Sequence, residues 1–314
     1  TLFIQSLGQW LKAPFTFLSF LATEDFFLVM MPLIYWCIDS VLGLRLAIML
    51  VASNSLNSSL KMLFRTPRPF WYDPRVQSLS METSFGMPSG HSQNSGSLWG
   101  MLGLTVKKRW MTIIVSLVIF LIGLSRIYLG MHFLHDVLSG WLAAAALLAL
   151  YFWLEKPVSR WLARLSFTWK IVVFFGAALL VMLIGVAPTW VNPSWQIPTQ
   201  WIANAAATKG AVPDPMNIKD AFTLAGVIFG FACGYAWWEM KFGKPKVEGS
   251  WTKRLVRYFV GIIGVIILYA GLKAILPQEP NLLGFTFRFL RYTVIGLWVT
   301  AGAPFLFVKL KLNR

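Results

Sequence analysis

Residues 61–69 read KMLFRTPRP, residues 86–91 read GMPSGH and residues 125–136 read SRIYLGMHFLHD. These three stretches place cations, a hydroxyl, imidazoles and carboxylate chemistry inside a chain that is otherwise mostly apolar. Ionisable groups among apolar spans are costly unless they face one another or a functional cavity. The region from 61 to 136 therefore decides how the rest of the chain is interpreted.

The composition is that of a membrane protein. Hydrophobic residues make up 57% of the 314 residues and charged residues 13%, and the mean hydropathy is +0.64. Soluble domains average roughly 25% charged residues, whereas several apolar runs here reach the ~20 residues that cross a bilayer. We predict an all-α, polytopic transmembrane helical bundle of about nine spans, with an interfacial amphipathic helix over residues 1–23.

The charge and the cysteines exclude other classes of protein. A net charge of +16 would favour nucleic-acid binding in a soluble protein. In a membrane protein it reflects basic loops, so we expect the bilayer and no nucleic acid as a partner, and we leave homodimer formation open. Cys37 and Cys233 both lie in apolar runs, which predicts neither a disulfide framework nor a metal site.

The predicted spans divide the chain into three parts. After the interfacial helix, residues 24–154 hold five spans and all three motifs, and residues 155–314 form a transmembrane extension of unknown role. The second span ends in a run of Ser and Asn between positions 53 and 59, which predicts that it lines a cavity near Lys61. Glycines four residues apart, at 96/100 and 226/230/234, predict close helix packing.

The distribution of Lys and Arg predicts the orientation. Cytoplasmic loops are enriched in these residues, and most of the 28 Lys and Arg fall on one predicted face. Lys61, His91, Arg126 and His132 lie at span ends on the other face. We therefore expect a cytoplasmic C-terminus and a site on the periplasmic or lumenal face of a bacterial inner or plasma membrane.

His132 and Asp136 are four residues apart, so on a helix their side chains share one face. A carboxylate bonded to one ring nitrogen fixes the tautomer and leaves the other nitrogen free to attack. Such a histidine can form a covalent intermediate. A helical His–Asp pair is also a common interfacial hydrogen bond, so this motif alone decides nothing.

Cations surround this pair in the sequence. Arg126 precedes the turn before His132, and an arginine binds phosphate oxygens through a bidentate fork. Lys61 and Arg68 add two positive charges, although either could instead reach lipid headgroups.

Residues 88–91 open a helix. Ser89 suits the N-cap, and the N–H groups of Gly90 and His91 then point towards a position that favours an anion. His91 can protonate a leaving oxygen and later deprotonate water. An ordinary helix cap is the alternative interpretation.

Taken together, Lys61-x6-Arg68-Pro69, Pro88-Ser89-Gly90-His91 and Ser125-Arg126-x5-His132-x3-Asp136 resemble the three signature motifs of the type 2 phosphatidic acid phosphatase (PAP2) superfamily of membrane lipid phosphatases. The sequences of residues 125–140 and 22–27 are similar to those of the sphingosine-1-phosphate phosphatase branch. The resemblance to undecaprenyl-pyrophosphate phosphatases and glucose-6-phosphatase is weaker.

The resemblance implies a PAP2/haloperoxidase-like helical core and a phosphatase without metal or cofactor. The implied phosphate-binding residues are Lys61, Arg68, Ser89, Gly90 and Arg126. The implied catalytic residues are His132 as nucleophile, His91 as acid and Asp136 as the partner of His132.

The expected reaction is hydrolysis of a phosphomonoester or pyrophosphate headgroup through a phosphohistidine, on a sphingoid-base phosphate, phosphatidic acid or another phospholipid. An undecaprenyl-pyrophosphate phosphatase, a lipid phosphotransferase and a non-catalytic lipid transporter or binding protein are the alternatives. Glu82 either forms an ion pair with a basic side chain of the site or is solvated, and both interpretations stay open. His135 lies outside the signature and is interpreted as structural.

Overall fold

A computed structural model describes residues 1–312, so residues 313 and 314 of the predicted extension lie outside the described residues. Within that range the chain is helical and holds no β-strand, which confirms the all-α prediction. The α-helices are α1 Leu2–Gln5, α2 Lys12–Phe20, α3 Glu24–Leu33, α4 Ser40–Phe64, α5 Pro69–Tyr72, α6 Gly90–Asn94, α7 Gly100–Val106, α8 Arg109–Tyr128, α9 Leu134–Ala163, α10 Phe167–Val186, α11 Thr199–Ala207, α12 Lys219–Phe242, α13 Trp251–Ile275, α14 Leu282–Leu297 and α15 Ala303–Lys309. Ile34–Ile38, Ser95–Trp99 and Trp298–Gly302 are π-helical, and Gln9–Leu11 and Ala187–Trp190 are 3₁₀ turns.

Seven helical stretches of residues 1–312 are long and apolar enough to cross a membrane, or eight if the bent pair at 9–20 and 24–38 forms one span. The number is close to the predicted nine. The predicted third span is present as a continuous helix from α6 through Ser95–Trp99 to α7. It is shorter than the ~20 residues that cross a bilayer.

The chain divides into two compact units, each assembled from separate stretches. The first comprises residues 1–27, 52–151 and 185–217, and the second comprises residues 28–51, 152–184 and the described residues from 218 onwards. Every predicted site residue lies in the first unit. The sequence division at residues 23 and 154 stays a prediction.

The core of the first unit is aromatic and lies under the motif loops. Phe70, Trp71, Phe85 and Tyr128 are buried in one cluster. The N-terminal segment joins this cluster, since the ring of Phe15 in α2 lies 5.1 Å from that of Tyr128 in α8. The segment predicted to lie in the membrane interface therefore also packs against protein.

Residues 185–217, which we call the return segment, pack on the same loops. Asn204 in α11 donates to the Trp71 carbonyl at 2.9 Å, and Asp214 N–H donates to the Thr83 carbonyl at 3.0 Å. Trp201 stacks on Trp71 with ring centroids 6.0 Å apart. Residues that follow α10 in the sequence therefore pack against the motif loops and belong to the first unit.

The second unit is organised by close packing of α12 against α14. A Cβ atom at Gly230 would meet the backbone of Thr293, and one at Gly296 would lie 2.6 Å from Phe231 N. Gly226 and Gly234 face α14 or the residues following it in the same way. The prediction of helix packing from glycine spacing is therefore confirmed here.

Candidate active site

Buried polar pairs hold α6 against the end of α4. Ser53 Oγ donates to Asn94 Oδ1 at 2.6 Å, and Asn94 Nδ2 donates to Asn54 Oδ1 at 2.9 Å. Asn57 Nδ2 donates to Gln93 Oε1 at 2.9 Å. These polar residues of α4 therefore face protein, and the predicted cavity is wrong for them, because partners in α6 satisfy their buried groups.

Ser89 caps α6, as the sequence predicts. Its Oγ accepts from Ser92 N–H at 3.4 Å, and its own N–H donates to the Asp136 carbonyl at 2.8 Å. The approach of α9 requires glycine at position 140, because a Cβ there would lie 2.7 Å from the Ser89 carbonyl oxygen. The cap therefore joins the second motif to the third.

The turn before His132 is closed on the carbonyl of Arg126. This oxygen accepts the N–H of Met131 at 3.1 Å and that of His132 at 3.3 Å. Gly130 supplies a φ of 77°, a conformation that glycine adopts without steric cost. The backbone of Arg126 thus sets the position of His132 directly.

Lys61 and Arg68 meet at Ser84. Lys61 Nζ donates to Ser84 Oγ at 3.1 Å and to the Phe85 carbonyl at 2.5 Å. Arg68 donates from Nη2 to the same Oγ at 3.0 Å and from Nε to the Ser84 carbonyl at 2.6 Å. Both cations are buried, so this one loop residue anchors two of the predicted phosphate-binding groups.

Glu82 connects the three motifs. Its Oε1 accepts from Arg126 Nη2 at 2.9 Å and lies 3.9 Å from His91 Nδ1, while its Oε2 lies 3.5 Å from Arg68 Nη2. Burial opposes the charged form of this carboxyl, but the positive charges of Arg68 and Arg126 prevail and lower the pKa of Glu82 to about 2. Glu82 is therefore ionised at neutral pH and holds cations of the site.

His132 lies between Arg68 and Asp136. Its Nε2 is 3.3 Å from Arg68 Nη1, and its Nδ1 is 3.4 Å from Asp136 Oδ2. Within residues 1–312, Nδ1 has no hydrogen-bond partner, and Asp136 Oδ2 accepts from Phe133 N–H at 2.9 Å. The pair is therefore close but not hydrogen-bonded, and because α9 begins at Leu134, the turn before the helix and not helical i,i+4 spacing sets the distance between His132 and Asp136.

His135 lies on the other side of the same carboxylate. Its Nε2 is 3.1 Å from Asp136 Oδ1, and its side chain is 60% exposed. Its place beside Asp136 fits the structural role expected from the sequence.

The structure brings the predicted residues of all three motifs together in the first unit, with Lys61 and Arg68 joined at Ser84. It adds two residues that the sequence did not identify, Ser84 and Ser19. Arg126 Nη1 donates to Ser19 Oγ at 2.7 Å, with both side chains buried. These two serines belong to no recognisable motif, and Ser19 lies in a different helix from Arg126.

The fold and the site define a polytopic membrane protein with a buried cationic site beside a histidine. Residues 42–160 match the family model of the PAP2 superfamily, and residues 222–314 match that of the PAP2 superfamily phosphatase, transmembrane extension. The chain therefore belongs to the PAP2 superfamily of phosphatases.

Two curated proteins and one solved structure give the extent of the similarity. Sphingosine-1-phosphate phosphatase 1 of Rattus norvegicus is 31% identical over 146 residues, which are 44% of this chain and 34% of the rat protein. Phosphatidylglycerophosphatase B of Bacillus subtilis is 28% identical over 164 residues, 48% of this chain and 78% of that protein. The crystal structure of a transmembrane PAP2 type phosphatidylglycerolphosphate phosphatase from Bacillus subtilis is 27% identical, covers 49% of this chain and 83% of its own, and has a TM-score of 0.40. The chain thus spans about a third of the rat relative's length.

Proposed function

We propose that this chain hydrolyses the phosphate ester or diphosphate of a membrane lipid, with His132 as the nucleophile. One observation carries the proposal. Arg68, His91 and Arg126, one from each motif, lie 2.9 to 3.9 Å from a single carboxylate. A phosphate at that position would lie beside two guanidinium groups, and Arg68 is itself 3.3 Å from His132 Nε2.

In the first step, His132 Nε2 attacks phosphorus. The P–N bond forms as the P–O bond to the lipid breaks, and His91 as an imidazolium gives its proton to the leaving oxygen. Nδ1 of His132 faces Asp136 at 3.4 Å, which favours the tautomer with the proton on Nδ1 and the lone pair on Nε2. The products of this step are the free lipid alcohol, or lipid monophosphate, and a phosphohistidine.

In the second step, water attacks the phosphohistidine. Neutral His91 takes a proton from the water as its oxygen bonds to phosphorus, the P–N bond breaks, and orthophosphate leaves. Arg68, Arg126 and Lys61 stabilise the negative charge on the equatorial oxygens in both steps. Ser89 and Gly90 complete the proposed phosphate ligands at the start of α6.

Two of the relatives support a lipid as the substrate. Their names describe phosphatases of sphingosine 1-phosphate and of phosphatidylglycerophosphate, which share a phosphomonoester on an apolar tail. We place the reaction on the non-cytoplasmic face because the excess of Lys and Arg lies in the opposite loops.

A panel of substrates tests the proposal. The full chain in detergent is given sphingosine 1-phosphate, phosphatidic acid, phosphatidylglycerol phosphate, undecaprenyl pyrophosphate and glucose 6-phosphate, and released orthophosphate is measured. Labelled product lipid is measured in parallel, because phosphotransfer would yield it in place of free phosphate. We expect release from one or more lipids that exceeds release from glucose 6-phosphate.

The nucleophile is tested by His132→Ala. We expect a loss of at least about 10⁴-fold in kcat, as for other essential nucleophiles, and loss of an acid-labile, alkali-stable phosphoenzyme. His135→Ala is the matched control, since His135 is a neighbouring exposed histidine. Turnover by the His132→Ala protein at the rate of the His135→Ala protein would contradict the assignment.

A further inference from the structure

Glu82 contacts the same cations to which the proposed function assigns the substrate phosphate. Its carboxylate accepts from Arg126 Nη2 at 2.9 Å, lies 3.5 Å from Arg68 Nη2 and 3.9 Å from His91 Nδ1. Carboxylate and phosphate oxygens are recognised by the same guanidinium edges. An incoming phosphate that uses these donors therefore meets Glu82 already bound to them.

The hydrogen bonds of the Arg126 guanidinium indicate that Glu82 and a phosphate would compete for the same N–H groups. Nη1 donates to Ser19 and Nη2 to Glu82. Within residues 1–312, the buried Nε has no hydrogen-bond partner. Nε–H and Nη2–H lie on one edge of the guanidinium and together form a bidentate fork, so Glu82 fills only half of it. A phosphate bridging Nε and Nη2 would fill both positions.

Burial and charge explain why an internal anion is present. Arg68 and Arg126 are 0% and 1% exposed, and buried cations without a counterion are strongly destabilising. Glu82 supplies that counterion and is 25% exposed. It lies in the loop between α5 and α6, outside any helix, so it can leave towards solvent without unwinding a helix.

We propose that the Glu82 carboxylate is a built-in competitor that occupies the phosphate position of the empty site and is displaced by the phosphate of the substrate. The inference rests on the proposed function, since it concerns the same anion site. Part of the binding free energy of the substrate is spent on displacing Glu82, and rebinding of Glu82 helps to expel the product orthophosphate. Removal of the charge should therefore tighten phosphate binding and strengthen product inhibition.

The test uses Glu82→Gln in the full chain in detergent, with inorganic phosphate as the probe in titration calorimetry. We expect Glu82→Gln to bind phosphate at least about tenfold more tightly than the wild-type chain, since one buried competing charge pair is lost. The control is Asp214→Asn, because Asp214 is exposed and its backbone contacts the same loop at Thr83. Its phosphate affinity should match that of the wild-type chain.

Equal or weaker phosphate binding by Glu82→Gln would overturn the inference and assign Glu82 to the positioning of Arg126 instead. Absence of binding by both forms would overturn it as well. If Glu82→Gln does not fold, Glu82→Asp retains the charge, shortens its reach and should still tighten phosphate binding. Calorimetry needs no turnover, so tighter binding without hydrolysis of any lipid phosphate would remove the proposed function but would still show that Glu82 and phosphate compete for this anion site. Hydrolysis of a lipid phosphate together with an unchanged phosphate affinity of Glu82→Gln would support the proposed function and overturn this inference.

Discussion

The hydroxyl of Ser84 accepts hydrogen bonds from both Lys61 and Arg68, at 3.1 and 3.0 Å. Ser84→Ala removes both bonds and leaves the backbone unchanged. A hydrogen bond to a charged group contributes about 1.5–3 kcal/mol. Lys61 keeps the Phe85 carbonyl and Arg68 keeps the carbonyls of Ser84 and Met131. We therefore expect the loss of about one such bond, not two.

A loss of about 2 kcal/mol in transition-state stabilisation corresponds to roughly a 30-fold fall in kcat/KM. The assay is phosphate release from the best lipid of the panel, with thermal unfolding measured on the same samples. Ser84→Thr restores the hydroxyl and should recover most of the rate. Ser80→Ala, at a half-buried serine of the same loop, is the control and should stay within about twofold of wild type, since substitutions away from buried polar contacts usually have small effects.

The reasoning is refuted if Ser84→Ala keeps the wild-type kcat/KM while its unfolding temperature is unchanged. It is equally refuted if Ser84→Thr is as slow as Ser84→Ala. Either result would mean that the hydroxyl does not hold the two cations in their reactive positions.

Three further predictions concern packing, support of the site and orientation. Ser19→Ala removes the buried bond to Arg126 and should lower kcat/KM about 5- to 30-fold, as expected for about 1–2 kcal/mol. Gly140→Ala should lower the unfolding temperature and the activity together, because its Cβ would lie 2.7 Å from the Ser89 carbonyl oxygen and 3.1 Å from Gln93 N. In a background without the native cysteines, a cysteine at exposed Met81 should react with a membrane-impermeant maleimide added to the non-cytoplasmic side of sealed cells.

Each of these has a matched control. Ser6→Ala changes an exposed serine and should leave the rate unchanged. Gly176→Ala adds a methyl group where nothing lies within 4 Å, so the unfolding temperature should not fall. A cysteine at exposed Lys246 should react only after permeabilisation. Reaction of both cysteines from the same side would contradict the orientation.

The meeting of the motifs could be predicted from the sequence because span ends are set by hydropathy over long stretches. Lys61, His91, Arg126 and His132 all lie near predicted span ends, and alternation of the predicted spans led us to expect those ends on one face. The cap at Ser89 could also be predicted, since it depends on residues within one turn. Local periodicity and local chemistry thus accounted for the framework of the site.

The remaining contacts involve loops or residues far apart in the sequence, and no sequence periodicity predicts such contacts. Glu82 and Ser84 lie in the loop between α5 and α6, so their partners follow only from the folded path of that loop. Ser19 reaches Arg126 across 107 positions of sequence. The His132–Asp136 hydrogen bond was expected from helical spacing. The two side chains lie 3.4 Å apart without that bond, and His132 precedes the helix, which begins at Leu134.

The return segment has a consequence for how this protein is made and how it can diverge. It lies between the two matched family regions, after residue 160 and before residue 222, yet it covers the backbone of Trp71 and Thr83. During synthesis, the loop that carries Arg68 emerges more than a hundred residues before its cover, so this part of the protein matures only after α10 has been translated. Exchange of the segment between relatives would alter the surroundings of that loop while every signature residue stays in place.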